Sequence, residues 1–117
     1  MVQRCLIVDD SQAFLSSARA LLESQGMIVA CALSGEEALA LARSAKPDLA
    51  LVDVELAEED GSALARSLIA QEPTLRVVLI SAYELEDVAE LVGACGASGF
   101  ISKIALGRAA IEALSES

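Results

Sequence analysis

The sequence has no histidine and no tryptophan, and aromatic residues make up only 3% of its 117 positions. Without histidine, and with three cysteines (Cys5, Cys31 and Cys95) that stand far apart and form no CxxC pair, a zinc site has no ligand set to draw on. An odd count of cysteines, each inside or beside an apolar segment, reads instead as small packing residues in a protein of a reducing compartment. The shortage of aromatics leaves the core to Val, Ile, Leu and Ala. In a chain that is 55% hydrophobic, that is the composition of a parallel sheet covered on both faces. Basic residues are scarce too: 8 Lys and Arg against 18 Asp and Glu give a net charge of -10, which opposes direct contact with nucleic acid or an anionic membrane surface. No apolar run approaches membrane-spanning length, and the one Arg before Cys5-Leu6-Ile7-Val8 leaves no room for a secretory signal. No linker or low-complexity stretch interrupts the chain. The expectation is one cytoplasmic domain over residues 1–117, large enough to bury roughly two-thirds of the surface its unfolded chain exposes.

What is present is alternation. Short apolar runs at Cys5 to Val8, Met27 to Ala32, Leu49 to Val52, Arg76 to Ile80 and Gly99 to Ser102 read as strands. Helical spacing fills the intervals. Phe14, Ala18, Leu21 and Leu22 mark a helix over Gln12 to Gln25, and Ser34 with Glu37 form a capping box that opens a helix through Ala45. Leu64, Leu68 and Ile69 mark a third helix from about Ser62 to Glu72, a fourth runs from about Leu85 to Ala94, and a fifth from about Leu106 to Leu114. This (βα)5 pattern predicts an α/β fold of three layers, doubly wound, with a five-stranded parallel sheet and right-handed crossovers. In the flavodoxin-like order 2-1-3-4-5, the first and fifth helices share one face of the sheet, and the switch point brings Asp9 and Asp10 beside Asp53.

Those three carboxylates, gathered at the carboxyl ends of the strands, would repel one another unless a cation joined them. Oxygen ligands with no His or thiolate nearby suit Mg2+. Lys103 and Ser81, from other strand ends at the same edge, offer a positive charge and a hydroxyl to a phosphoryl group. A carboxylate can itself be the nucleophile, and Asp53, at the end of the middle strand, is the best placed.

The ordered set Val8-Asp9-Asp10-Ser11, Leu51-Val52-Asp53-Val54, Asp60-Gly61, Ile80-Ser81-Ala82 and Gly96 to Lys103 resembles the receiver domain of bacterial two-component response regulators. The resemblance covers essentially the whole chain. It implies that Asp53 takes a phosphoryl group from a sensor histidine kinase or phosphotransfer protein, with Mg2+ required. Asp9, Asp10, Asp53 and the Glu55 backbone carbonyl would hold the metal, and Ser81 and Lys103 would contact the phosphoryl oxygens. Ser81 and Phe100 would form a switch that alters the surface around the fourth helix, the fifth strand and the fifth helix. The segment ending in Lys103 resembles receivers joined to helix-turn-helix domains, so the implied role is transcription regulation through an attached DNA-binding domain, or action as a single-domain regulator. Homodimer formation on phosphorylation is compatible with this, although the acidic fourth helix offers no basic residues for charge pairing. Ala57 and Ile104 depart from the family pattern, since proline is usual at the first and proline or an acidic residue is frequent at the second. Competing readings are a Mg-dependent phosphatase with an aspartyl-phosphate intermediate and a degenerate receiver that serves only as a scaffold. The first wants Asp-x-Asp where this chain has adjacent aspartates, and the second is opposed by the intact acidic set.

Taken singly, each residue has a plainer reading. Asp9-Asp10-Ser11 is a good helix cap, Asp53 a turn residue, Lys103 a solvated side chain and Phe100 a core residue of a short strand. The first three would need coincidences at separate strand ends, and Glu58-Glu59-Asp60 reads as a solvated loop.

Overall fold

Apolar strings as short as residues 5–8, 49–52 and 77–80 satisfy their backbone groups by pairing with one another, and their side chains by burial on both faces. In a computed structural model of the chain, which describes residues 3–56, 59–82, 88–103 and 106, they do both. Strands β1 (Arg4–Val8), β2 (Ile28–Ala32), β3 (Leu49–Asp53), β4 (Arg76–Ser81) and β5 (Gly99–Ser102) form one parallel sheet in the order β2-β1-β3-β4-β5. Helices α1 (Gln12–Ser24), α2 (Gly35–Ala45), α3 (Gly61–Gln71) and α4 (Val88–Cys95) make the crossovers. The flavodoxin-like order expected from the alternation is the order found.

Period-two alternation divides the core. Cys5 and Ile7, Leu49 and Leu51, Val78 and Ile80, and Ile101 pack with Leu15, Ala18 and Leu22 of α1 on one face. Leu6 and Val8, Ala50 and Val52, Val77 and Leu79 pack on the other with Ala38 and Ala42 of α2, Leu64, Ala65 and Leu68 of α3, and Cys95 of α4. Every residue of β3 is buried, as a central strand between two helical layers requires.

Local signals set the helix ends. Ser11 caps α1 by accepting the Phe14 N–H, and Ser34 caps α2 by accepting the Glu37 N–H, while the Glu37 carboxylate accepts the Leu33 N–H. At the other end of α1, Gly26 adopts φ 91°, so its N–H reaches the Glu23 carbonyl and the Met27 N–H the Leu22 carbonyl. This is a Schellman closure, and it buries Met27 in the same cluster as Leu22. Lys46 ends α2 in the left-handed region at φ 47°, and Pro47 bars a further turn.

The structure corrects two expectations. The buried stripe of α1 is Leu15, Ala18 and Leu22, whereas Leu21 is 38% exposed. The acidic stretch after β3 is not simply a loop: Glu55–Leu56 pairs antiparallel with Glu59–Asp60. Asp60 then caps α3, accepting the Ser62 N–H and hydroxyl. Ala57, Glu58, Tyr83, Ile104, the first residues expected for the fourth helix and, apart from Leu106, the whole expected fifth helix lie outside the described residues. No described helix is long and apolar enough to cross a membrane.

Candidate functional site

Continuing the alternation past the strand ends shows why the polar residues meet. Asp9 follows Cys5 and Ile7, Asp53 follows Leu49 and Leu51, and Lys103 follows Ile101, so all three extend rows that face α1. Strands β1 and β3 are neighbours at the switch point. One carboxylate oxygen from each of Asp9, Asp10 and Asp53 lies within 4.8 Å of the others, with Asp9 and Asp53 buried and Asp10 exposed. Two of these groups are also oriented locally, because Asp9 Oδ1 accepts the Ser11 N–H at 2.9 Å and Asp53 Oδ1 the Glu55 N–H at 3.0 Å.

Lys103 joins the group from the edge strand. Its Nζ lies 2.5 Å from Asp9 Oδ2 and 3.3 Å from Asp53 Oδ2. Burial pushes the Asp53 carboxyl above its ordinary value against the pull of the Glu55 N–H, while Asp9 adds to the rise and Lys103 opposes it. Burial alone would lower the Lys103 ammonium, but the Asp9 and Asp53 carboxylates outweigh it and hold Lys103 above its ordinary value. Three carboxylates and one ammonium leave the cluster with two formal negative charges in excess, which one divalent cation would balance. Asp9 Oδ2 is buried, and the Lys103 ammonium lies against it as its ion-pair partner. All-oxygen donors and a mix of buried and exposed positions fit a hard cation such as Mg2+, which keeps part of its water shell.

Beside the carboxylates, Asp53, Glu55, Ala82 and Lys103 line a cavity of about 250 Å³. A larger hollow of about 420 Å³, bordered by Arg43, Lys46, Gln71 and Thr74, lies at the opposite ends of the strands. The only carboxylate cluster among the described residues belongs to the smaller one, and chemistry rather than volume selects it. Ser81 is buried at the end of β4, in the row of Val77 and Leu79. Phe100 is half-buried against the cluster that also receives Leu91 and Val92 of α4. The structure therefore brings Asp9, Asp10, Asp53 and Lys103 together, puts Ser81 at the adjoining strand end, and sets Phe100 on the other face of the sheet.

Two supporting residues escape a reading of the sequence. A Cβ on Gly61 would overlap the Asp53 carbonyl oxygen and lie 2.8 Å from Val54 Cα, so the first residue of α3 must be glycine for that helix to approach the end of β3. The Gly61 N–H and the Val54 carbonyl bond at 3.2 Å, which ties the two together. Asp60-Gly61 stood out in the sequence, but nothing there showed what the glycine touches. The second is Phe14, whose ring centroid lies 4.5 Å from Lys103 Nζ, and its only sequence signal was helical spacing.

Comparison with known proteins gives a consistent result. Residues 5–114 match the family model described as the response regulator receiver domain. The alginate biosynthesis transcriptional regulatory protein AlgB of Pseudomonas aeruginosa is 35% identical over 100 residues, covering 86% of this chain but 22% of AlgB. This chain thus spans about a fifth of that relative's length. A CheY-like response regulator receiver domain protein from Methanospirillum hungatei superposes with a TM-score of 0.87 at 28% identity, over 99% of this chain and 93% of its own. A response regulator protein from Burkholderia pseudomallei, solved with a phosphorylated aspartic acid, calcium ion and citrate, superposes with a TM-score of 0.81 at 27% identity, over 97% of this chain and 72% of its own.

Proposed function

The chain belongs to the response regulator receiver domain family, and from that membership we propose that residues 1–117 act as a Mg-dependent phosphoacceptor with Asp53 as the nucleophile. Receiver domains are signalling modules of two-component systems rather than conventional enzymes, and in general they answer to a histidine kinase. The observation that carries the reading is the convergence of Asp9, Asp10 and Lys103 on Asp53 at the switch point of the sheet.

In the proposed reaction an Asp53 carboxylate oxygen forms a bond to phosphorus, while the bond from phosphorus to the donor breaks and its electrons leave with the donor group. The donor is the phosphohistidine of a sensor kinase or of a phosphotransfer protein. Glu55 N–H orients the Asp53 carboxylate by bonding Oδ1, and Oδ2 would be the attacking atom. Oδ2 is the oxygen that faces Lys103, whose ammonium would follow the charge onto the phosphoryl oxygens. Asp9, Asp10, Asp53 and the Glu55 carbonyl would hold Mg2+, which when bound supplies charge neutralisation to the transferring group. Ser81 would contact a phosphoryl oxygen, and its movement would let Phe100 reposition against α4, which changes the surface offered to a partner.

The relative's printed name supports transcription regulation as the outcome, through an attached DNA-binding domain, with a single-domain regulator or a phosphorylation-dependent homodimer as other forms of output. The charge of -10 assigns DNA contact to another domain, and a cytoplasmic setting agrees with the free thiols. The relatives give no support to the phosphatase alternative.

Intact mass after incubation with acetyl phosphate tests the reading. The expected result is one phosphate-sized adduct that requires Mg2+ and is absent from Asp53→Asn. An acid-labile adduct of full stoichiometry on Asp53→Asn would remove Asp53 from the role, and no adduct on the folded, Mg-binding parent would favour the scaffold.

A further inference from the structure

Lys103 has two anions to choose between, and the nearer is Asp9, at 2.5 Å against 3.3 Å for Asp53. Coulomb attraction already seats the ammonium against the buried Asp9, yet this flexible four-carbon side chain also keeps Nζ within 3.3 Å of Asp53. A third contact is present. The Phe14 ring lies with its centroid 4.5 Å from Nζ, within the distance at which the negative face of an aromatic ring attracts an ammonium. The ring is itself anchored, because the Phe14 N–H is taken by Ser11 Oγ and the Ser11 N–H by Asp9 Oδ1, so its backbone is tied to the acidic pair. Phe14 also packs against the α1-side core. The Lys103 side chain is only 16% exposed, which removes much of the water that would weaken the contact.

We propose that Phe14 is a positioning residue for the reaction, its ring face holding the Lys103 ammonium between Asp9 and Asp53 so that it is in place for the phosphoryl group. This rests on the phosphoacceptor reading and adds a residue to it. The ring acts through Lys103, the group it is in contact with.

The test compares the parent with Phe14→Leu, which keeps an apolar side chain without a π face, and Phe14→Tyr, which keeps the face. The chain has two lysines, Lys46 and Lys103, so the ε-methylene NMR signals are few and Lys46 serves as reference. In the parent and in Phe14→Tyr the Lys103 signal should be displaced upfield by the ring, and in Phe14→Leu it should fall close to that of Lys46. At saturating Mg2+, phosphorylation of Phe14→Leu by acetyl phosphate should be roughly three- to thirtyfold slower, the range to which a partly desolvated cation–π contact converts, while Phe14→Tyr stays near the parental rate. The proposal is overturned if the parent shows no displacement, if Phe14→Leu reacts at the parental rate, or if Phe14→Tyr is as slow as Phe14→Leu, since side-chain bulk rather than the ring face would then be at issue. A parent that shows the displacement but takes up no phosphoryl group would overturn the phosphoacceptor reading, and the positioning role with it, while the contact itself stood.

Discussion

Two glycines of this domain should respond to the same one-methyl substitution with opposite signs, and the reason lies in what each methyl would meet. Gly93 sits within α4, exposed, and among the described residues a Cβ there meets nothing within 4 Å beyond its own stretch of helix. Gly93→Ala should therefore gain about 0.5–1 kcal/mol, the ordinary advantage of alanine inside a helix. Gly61 begins α3, where helix propensity again favours alanine, but its Cβ would overlap the Asp53 carbonyl oxygen and stand 2.8 Å from both the Asp53 carbonyl carbon and Val54 Cα. Carbon atoms in contact prefer about 3.5–4 Å, so a displacement of roughly an ångström is needed. All three obstructing atoms are backbone, and no rotamer change can move them aside. Overpacking of this kind costs about 1–3 kcal/mol and occasionally more, and the immobile neighbours put Gly61→Ala at the upper end or beyond, net of the propensity gain. The assay is urea unfolding followed by far-ultraviolet circular dichroism, since the chain has no tryptophan. The midpoint should rise for Gly93→Ala and fall for Gly61→Ala at unchanged slope, and in heat the second should melt about 8 °C or more below the parent. Because the displaced atoms belong to Asp53 and Val54, Gly61→Ala should also weaken Mg2+ binding, whereas Gly93→Ala should not. A Gly61→Ala protein within 0.5 kcal/mol of the parent would refute the claim that α3 reaches the acidic site only through a glycine.

Asp53→Asn should stabilise the metal-free protein while it abolishes phosphoryl acceptance. The folded pKa of Asp53 is raised, so the charged carboxylate opposes folding at neutral pH, and the difference from Asn should vanish as pH falls below the unfolded value of 3.8. Melting curves of both proteins with EDTA and with Mg2+ check this, and Mg2+ should narrow the gap by binding the parent. Asp60 is shifted the other way, held low first by the Ser62 hydroxyl. Its cap on α3 should be fully in force above pH 3.8 and fade as pH falls through the folded value, so Asp60→Ala should cost about 1 kcal/mol at neutral pH and less in acid, read from urea midpoints at several pH values. Among the thiols, burial pushes Cys5 up to about 12, helped by nearby Cys31, whereas Cys31 is raised by burial and eased by Arg19. Iodoacetamide at pH 8 should therefore label half-buried Cys31 well before Cys5, as peptide mass spectrometry would report; labelling of Cys5 first would contradict the burial of β1.

The residues of the candidate site were legible because topology fixes where they lie. Asp9, Asp53 and Lys103 each extend a buried row, and once the strand order is known the rows must end side by side. What the sequence left open is set by distance rather than pattern. Around α1, residues 14, 18, 21 and 22 and residues 15, 18 and 22 are both acceptable helical stripes, and periodicity cannot choose between them. Packing chose the second, which put Leu15 into the core, left Leu21 outside and turned Phe14 toward the strand ends, where its ring meets Lys103. The misread stripe and the missed contact thus have one cause, a small rotation of α1 about its axis. The Glu55–Leu56 and Glu59–Asp60 ribbon was hidden for a related reason. Three of its four residues are acidic and have little preference for a strand, so only the need to carry the chain from Asp53 to a helix start packed against it accounts for the pairing. In both places the polar side chains of the candidate site announce themselves by type, and the atoms that hold them in register do so only by where they lie.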